Sequence, residues 1–291
     1  MNITGNNRKV APKKNTDETP QVQALRESMS PIKHKFLVIS SQAGVGKTSV
    51  IVNLAVALSK RGVRVGIMDV NYHGPDIHRM LGLEPSVAGV SDKPLMPIVY
   101  SDNLKVASIE SVMQDIDETG IWGKPLKPPD ILRFISSLNW GSLDYLFVDA
   151  PPSPGEGLLT VIRAIPEAEK IIVTAPNIIR RDRAKKMINF FTKEEITIAG
   201  WIENMRGFFC QHCDRRLELF STGPGSRAVF LADIPFLGRI PIDPHFEKCA
   251  DARKPSLEMY PESEVAEGCN SIIEKIMGGN KSSLAQNRPV Y

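Results

Sequence analysis

The sequence predicts a doubly wound α/β fold, with a mostly parallel sheet covered by helices on both faces. Apolar runs of strand length alternate with helical patterns, the arrangement that builds parallel sheets through crossover helices. Several of those runs are apolar on both faces, as strands buried between two helix layers should be. A glycine-rich turn, "GVGKTS", joins the first such run to the first helical pattern.

Taken in order, strands are expected at 35–40, 64–69, 104–109, 143–149, 170–176 and 196–204, with a final one at 236–243. Helices are expected over 47–60, ending at Gly62, then over 130–139, 156–164, 180–191 and 262–277. In the last of these, Val265, Cys269, Ile272, Ile273 and Ile276 form one apolar stripe. Residues 1–30 are polar and lack periodicity, so they read as a flexible tail, and residues 279–291 look similar. One folded domain over 31–278 is the resulting expectation. In a sheet of this kind, ligands bind beyond the carboxyl ends of the strands. The motifs below all fall at such ends.

The totals bound the function. A hydrophobic fraction of 42% and a charged fraction of 24% are those of an ordinary globular protein. The 36 basic residues nearly match 33 acidic ones, leaving a net charge of +3, which argues against nucleic acid as a partner. No apolar run approaches the roughly 20 residues of a membrane span. The first residues lack the apolar core of a secretory signal, and four cysteines in 291 residues are no disulfide framework. A cytoplasmic, reduced protein that binds neither membrane nor nucleic acid is expected.

"SSQAGVGKTS" departs from a phosphate-binding loop only in its first half, where Ser41 stands at the place of the first glycine. Gly44, Val45 and Gly46 can turn their N–H groups toward phosphates, and the following helix adds partial positive charge. Lys47 is placed to reach the β- and γ-phosphates, and the Thr48 hydroxyl to bind Mg²⁺. The nucleotide-contacting stretch is read as Gln42, Ala43, Gly44, Val45, Gly46, Lys47, Thr48 and Ser49. Asp69 and Asp149 end two apolar strands. Asp149 occupies the position from which a carboxylate orients Mg²⁺ through a water. Beyond the strand at 196–204, Cys210 and Cys213 form a C-x-x-C pair. It can chelate a metal or bridge to an iron–sulfur cluster. Cys249 and Cys269 lie in helical patterns and read as buried small hydrophobes. Two ligands per chain therefore suggest a centre shared across a twofold axis, with zinc kept open by His212.

Together these segments resemble the Mrp (ApbC) family of iron–sulfur cluster carriers. That family belongs to the deviant-Walker ATPases, which include MinD-like and nitrogenase-iron-protein-like members. The likeness runs over roughly 31–278, through "GWIENMRGFFCQHCD" and "RIPIDP". The resemblance implies an ATP-binding homodimer holding a 4Fe-4S cluster between Cys210 and Cys213 of both chains. The cluster would be received from a donor and passed to apo-protein acceptors. It also implies that Asn204 reads adenine, and that Lys47, Asp69, Asn71 and Asp149 form the catalytic set. Two positions depart from the family pattern. Gln42 stands where relatives carry a lysine that crosses to the partner's phosphates, and Asn71 where they carry an aspartate that orients the attacking water. Removing charge from a phosphoryl-transfer site costs rate steeply. Slow hydrolysis is therefore expected. Two alternatives remain: an adaptor that binds ATP with little turnover, and a zinc-stabilised MinD-like ATPase.

Overall fold

The computed structural model describes residues 20–40, 43–84, 94–113, 127–152, 155–176, 181–194, 196, 198–209, 213, 215–217 and 234–278. Its centre is an eight-stranded sheet. The strands are β1 (Ile32–Ile39), β2 (Val65–Asp69), β3 (Ile98–Ser101), β4 (Leu104–Ser108), β5 (Leu143–Asp149), β6 (Glu169–Thr174), β7 (Ile198–Glu203) and β10 (Phe236–Arg239). They run in the order β10-β7-β6-β1-β5-β2-β4-β3. All neighbours pair in parallel except β3, which runs antiparallel to β4 at the edge.

Alternation across the central strands explains the two cores. Val38, Ile67, Phe147 and Val173 point to one face. Leu37, Met68, Val148 and Ile172 point to the other. The first face is covered by α2 (Lys47–Lys60) and the closing helix α10 (Glu264–Met277). The second is covered by α5 (Pro128–Ser137), α6 (Glu156–Ala164) and α7 (Arg181–Lys193), together with an N-terminal helix. Every residue of α2 from Val50 to Ser59 is buried. A helix apolar all round must be sheathed on every side, and α2 lies between the sheet, α10 and the short helix α9 (Ser256–Met259). In α10 the expected stripe is buried at Val265, Cys269, Ile272 and Ile273, and Ser263 caps the helix by accepting from the Ala266 N–H.

Several elements differ from expectation. Residues 20–29, read as the end of a polar tail, form helix α1 (Pro20–Met29). Its Leu25 and Met29 are buried against α5, and Ser28 donates to the carbonyls of Ile135 and Leu138 at 3.1 and 2.7 Å. Two well-placed apolar side chains suffice when a partner helix supplies the rest of the surface. The helical pattern read around Cys249 is α8 (Phe246–Asp251), whereas helices α3 (Ile77–Met80) and α4 (Glu110–Met113), with α9 and the edge strand β3, were not anticipated. Strand β10 ends at Arg239, so Ile240–Asp243 leave the sheet although their apolar pattern suggested continuation. A small hairpin of β8 (Phe208–Phe209) and β9 (Arg216–Leu217) stands apart from the main sheet. The first and last stretches, 1–19 and 279–291, lie outside the described residues.

Candidate functional site

Strand register builds the site. In β1, β5 and β2, Val38 pairs with Asp149 and Asp149 with Asp69, which sets the two carboxylates side by side at the carboxyl edge of the sheet. The loop from β1 to α2 arches over them. Gly44 and Gly46 take φ of +81° and +76°, a region that costs glycine little and other residues much. Gly46 is further constrained, because a Cβ there would lie 2.3 Å from the Asn204 amide nitrogen. That amide donates to the Val45 carbonyl at 2.9 Å, so the end of β7 clamps the loop from behind.

Lys47, the first residue of α2, is buried and pairs its ammonium with Asp149. Thr48 donates its hydroxyl to the other Asp149 oxygen at 2.6 Å. Asp69 is fully buried; it accepts from the Asn71 N–H at 2.9 Å and from the Ile77 N–H at 3.5 Å, holding the start of α3. Burial pushes the Asp69 carboxyl up, opposed by the Asn71 N–H and the Lys47 charge. Burial also pulls the Lys47 ammonium down, opposed by the Asp69 charge. We attribute a further opposing pull to its ion pair with Asp149. A lysine shared between two buried carboxylates is suited to neutralising phosphate charge. The Thr48 hydroxyl and the Asp149 carboxylate are hard oxygen donors at contact distance, the second Asp149 oxygen being held by the Lys47 ammonium. They fit Mg²⁺, which would supply charge neutralisation between phosphates.

Asn71 is placed beside this centre but turned from it. Its amide donates to the Gly74 carbonyl at 3.3 Å, while its carbonyl oxygen is buried without a hydrogen bond. Gln42 and Cys210 lie outside the described residues. Ala43 and Gly44 are exposed at the lip of the loop, and Ser49 faces a cavity of about 620 Å³. That cavity is the main feature that sequence reasoning missed. Asn204 and Met205 line it, with Ile240–Asp243 hydrogen-bonded alongside them. Cys249 and Cys269 lie deeper, buried as expected. Burial pushes both thiols up, Cys269 to about 12, so both stay protonated and are poor metal ligands. Cys213, by contrast, is exposed. The "RIPID" stretch was the available signal for the Ile240–Asp243 part of the lining. Its apolar residues serve the cavity, where a strand had been expected.

Residues 31–277 match the family model described as ParA, NUBPL iron-transfer P-loop NTPase. The chain belongs to this family. As a NUBPL-type P-loop NTPase it is 38% identical over 257 residues to the iron-sulfur cluster carrier protein of Methanocaldococcus jannaschii, covering 87% of this chain and 89% of the relative. It is 34% identical over 270 residues to the cytosolic Fe-S cluster assembly factor CFD1 of Saccharomyces cerevisiae, covering 89% and 92%. Among solved structures, a nucleotide-binding protein from Archaeoglobus fulgidus in complex with ADP matches with a TM-score of 0.67 at 30% identity, over 84% of this chain and 98% of that one. The MinD cell division protein of Aquifex aeolicus, at 18% identity and a TM-score of 0.59 over 89% and 99%, shares the fold. The doubly wound architecture read from the sequence is therefore that of the MinD and ParA P-loop proteins.

Proposed function

We propose that the protein is an ATP-binding iron–sulfur cluster carrier that works as a homodimer in the cytoplasm. Cys210 and Cys213 of each chain would bridge a 4Fe-4S cluster, the cargo received from a donor and passed to apo-proteins. The observation that carries this reading is the end of β7. It supplies Asn204 to the cavity beside the phosphate loop, and nine residues later it presents the exposed thiol of Cys213. A nucleotide site and a soft-ligand pair on one short segment suit a carrier whose cargo responds to nucleotide. The comparisons support the cargo: relatives covering nearly this whole chain are named as iron–sulfur carriers or assembly factors.

In this reading Gly44–Gly46 and the first turn of α2 cradle the phosphates, Lys47 neutralises the β/γ oxygens, and Thr48 with Asp149 holds Mg²⁺. The base enters the cavity against Asn204. Anaerobic reconstitution with iron and sulfide tests the cargo. Wild type should gain the broad visible absorbance of a cluster, and Cys213→Ala should not. Equal absence of absorbance in both would reject it, and zinc in protein purified without oxygen would favour the zinc-stabilised alternative.

Asn71 favours slow turnover as a second element of the reading. A carboxamide hydrogen-bonded to Gly74 brings no negative charge to polarise an attacking water. Steady-state ATP hydrolysis should rise by roughly tenfold or more in a Gln42→Lys/Asn71→Asp variant. Ordinary wild-type turnover, unchanged by the two substitutions, would overturn it.

A further inference from the structure

Within six residues of β7 the chain passes from the nucleotide cavity to the cysteine hairpin, and it does so along a ladder shared with the neighbouring Ile240–Asp243 segment. The Asn204 N–H donates to the Thr174 carbonyl at 2.7 Å, fixing the backbone where the side chain meets the phosphate loop. Met205 then takes φ of +59°, a left-handed conformation that a long side chain holds only under tertiary constraint. From here three rungs join the two adjacent segments. The Ile240 N–H donates to Glu203 O at 2.9 Å, the Arg206 N–H to Ile240 O at 3.1 Å, and the Ile242 N–H to Gly207 O at 2.9 Å. Phe208 pairs with Ile242 in a parallel bridge, and Phe208–Phe209 is the first strand of the hairpin. Asn204, Met205 and Ile240–Asp243 all line the cavity.

The Asn204 amide also ties the phosphate loop to this route through the Val45 carbonyl, whereas the groups around the terminal phosphate are connected elsewhere. Asp69 and Asn71 bond to α3 and to the Gly74 turn, and Asp149 receives Lys47 and Thr48 of α2. The backbone route into the hairpin thus starts at the cavity wall, where a nucleoside would sit.

We propose that the cysteine hairpin is positioned by the nucleoside half of the bound nucleotide through the 203–208/240–242 ladder, and not by its terminal phosphate. This rests on the carrier reading above and adds which part of the ligand the cargo loop senses. An adenine nucleoside diphosphate lodged in the cavity against both Asn204 and Ile240–Asp243 touches both rails of the ladder and thereby restrains the hairpin that bears Cys213. Adenosine diphosphate and triphosphate then act alike on the hairpin, and a bare phosphate chain does not act.

The test uses the full chain, reduced, apo and without oxygen. Iodoacetamide alkylation of Cys213 is followed by fragment mass spectrometry with ADP, a non-hydrolysable ATP analogue, or pyrophosphate, each shown by calorimetry to be bound. ADP and the ATP analogue should slow Cys213 by the same factor, about fivefold or more, with pyrophosphate leaving the rate unchanged. Hydrogen exchange at Arg216–Leu217 should fall in the same two cases. A response to the ATP analogue but not to ADP, an equal response to pyrophosphate, or no response with ADP bound would each overturn the proposal. Absence of ADP binding would overturn it together with the nucleotide half of the carrier reading. Failure of cluster reconstitution alone bears on the cargo and leaves this coupling standing.

Discussion

At the scale of single residues, Gly46 and Lys47 are the positions where the site tolerates least. Gly46 combines a left-handed φ with a close approach to Asn204. Gly46→Ala should therefore destabilise the fold by about 1–3 kcal/mol in urea unfolding and displace the Asn204 clamp, weakening ADP binding in calorimetry. Lys47→Ala removes the cation from a pocket holding two buried carboxylates. ADP affinity should drop by roughly tenfold or more, since a charge-assisted bond to phosphate is lost. His78 makes a different prediction. It is buried, neither ring nitrogen has a hydrogen bond, and its Nδ1 lies 3.9 Å from a Glu110 oxygen. Burial pulls its pKa below 6.5. The unfolded chain then takes up a proton near 6.5 that the folded chain accepts only at lower pH, so this contribution to stability is present above that value and lost as pH falls. Glu110, whose carboxyl is pushed up by burial against the pull of Arg79, acts with the opposite sign nearer the carboxylate range. Between about pH 7 and 5.5 the unfolding midpoint of the wild type should fall relative to that of His78→Leu as pH is lowered, whatever the opposing contribution of the raised Asp69 carboxyl common to both.

At the scale of elements, the N-terminal helix and the short pieces around the site show where sequence patterns lose their force. The long strands were legible because β1, β2, β5 and β6 are buried on both faces, and α2 because its run is apolar all round. Helices α3 and α4 and strand β3 span four residues each, too short for any periodicity to register. Helix α1 escaped because it offers only Leu25 and Met29 to the core. Met29→Ala should nevertheless cost about 2–4 kcal/mol in chemical denaturation, as buried methionine truncations do. A loss under 0.5 kcal/mol would show that α1 does not hold against α5 in solution.

At the scale of the whole molecule, the phosphate half of the site was readable and the cavity half was not. Gly44–Ser49, Asp69 and Asp149 announce themselves because a phosphate loop and two strand-end carboxylates are local patterns. The cavity joins Ser49, Asn204 and Ile240–Asp243, which are brought together only by the sheet order that sets β10 beside β7 and β7 beside β6. Of these, Ser49 was read from the phosphate-loop pattern and Asn204 through its family resemblance, and Ile240–Asp243 were missed. If the chains meet as proposed, the mass from light scattering should correspond to two copies of the 32.2 kDa chain when ATP is present. A mass of one chain at all nucleotide conditions would rule the shared cluster out.

The sheathing of α2 has a consequence for biosynthesis. One of the surfaces that cover it, α10, is the last helix among the described residues, and it meets α2 through the first core and an Arg61–Asn270 hydrogen bond of 2.9 Å. At translation rates of ~5–20 residues per second, the roughly 200 residues between them take ~10–40 s to synthesise. For that interval the nascent chain holds a mostly apolar helix with part of its cover missing. Ribosome-associated chaperones should meet this protein early, and a stop codon before residue 264 should send it to the protease however intact its phosphate loop.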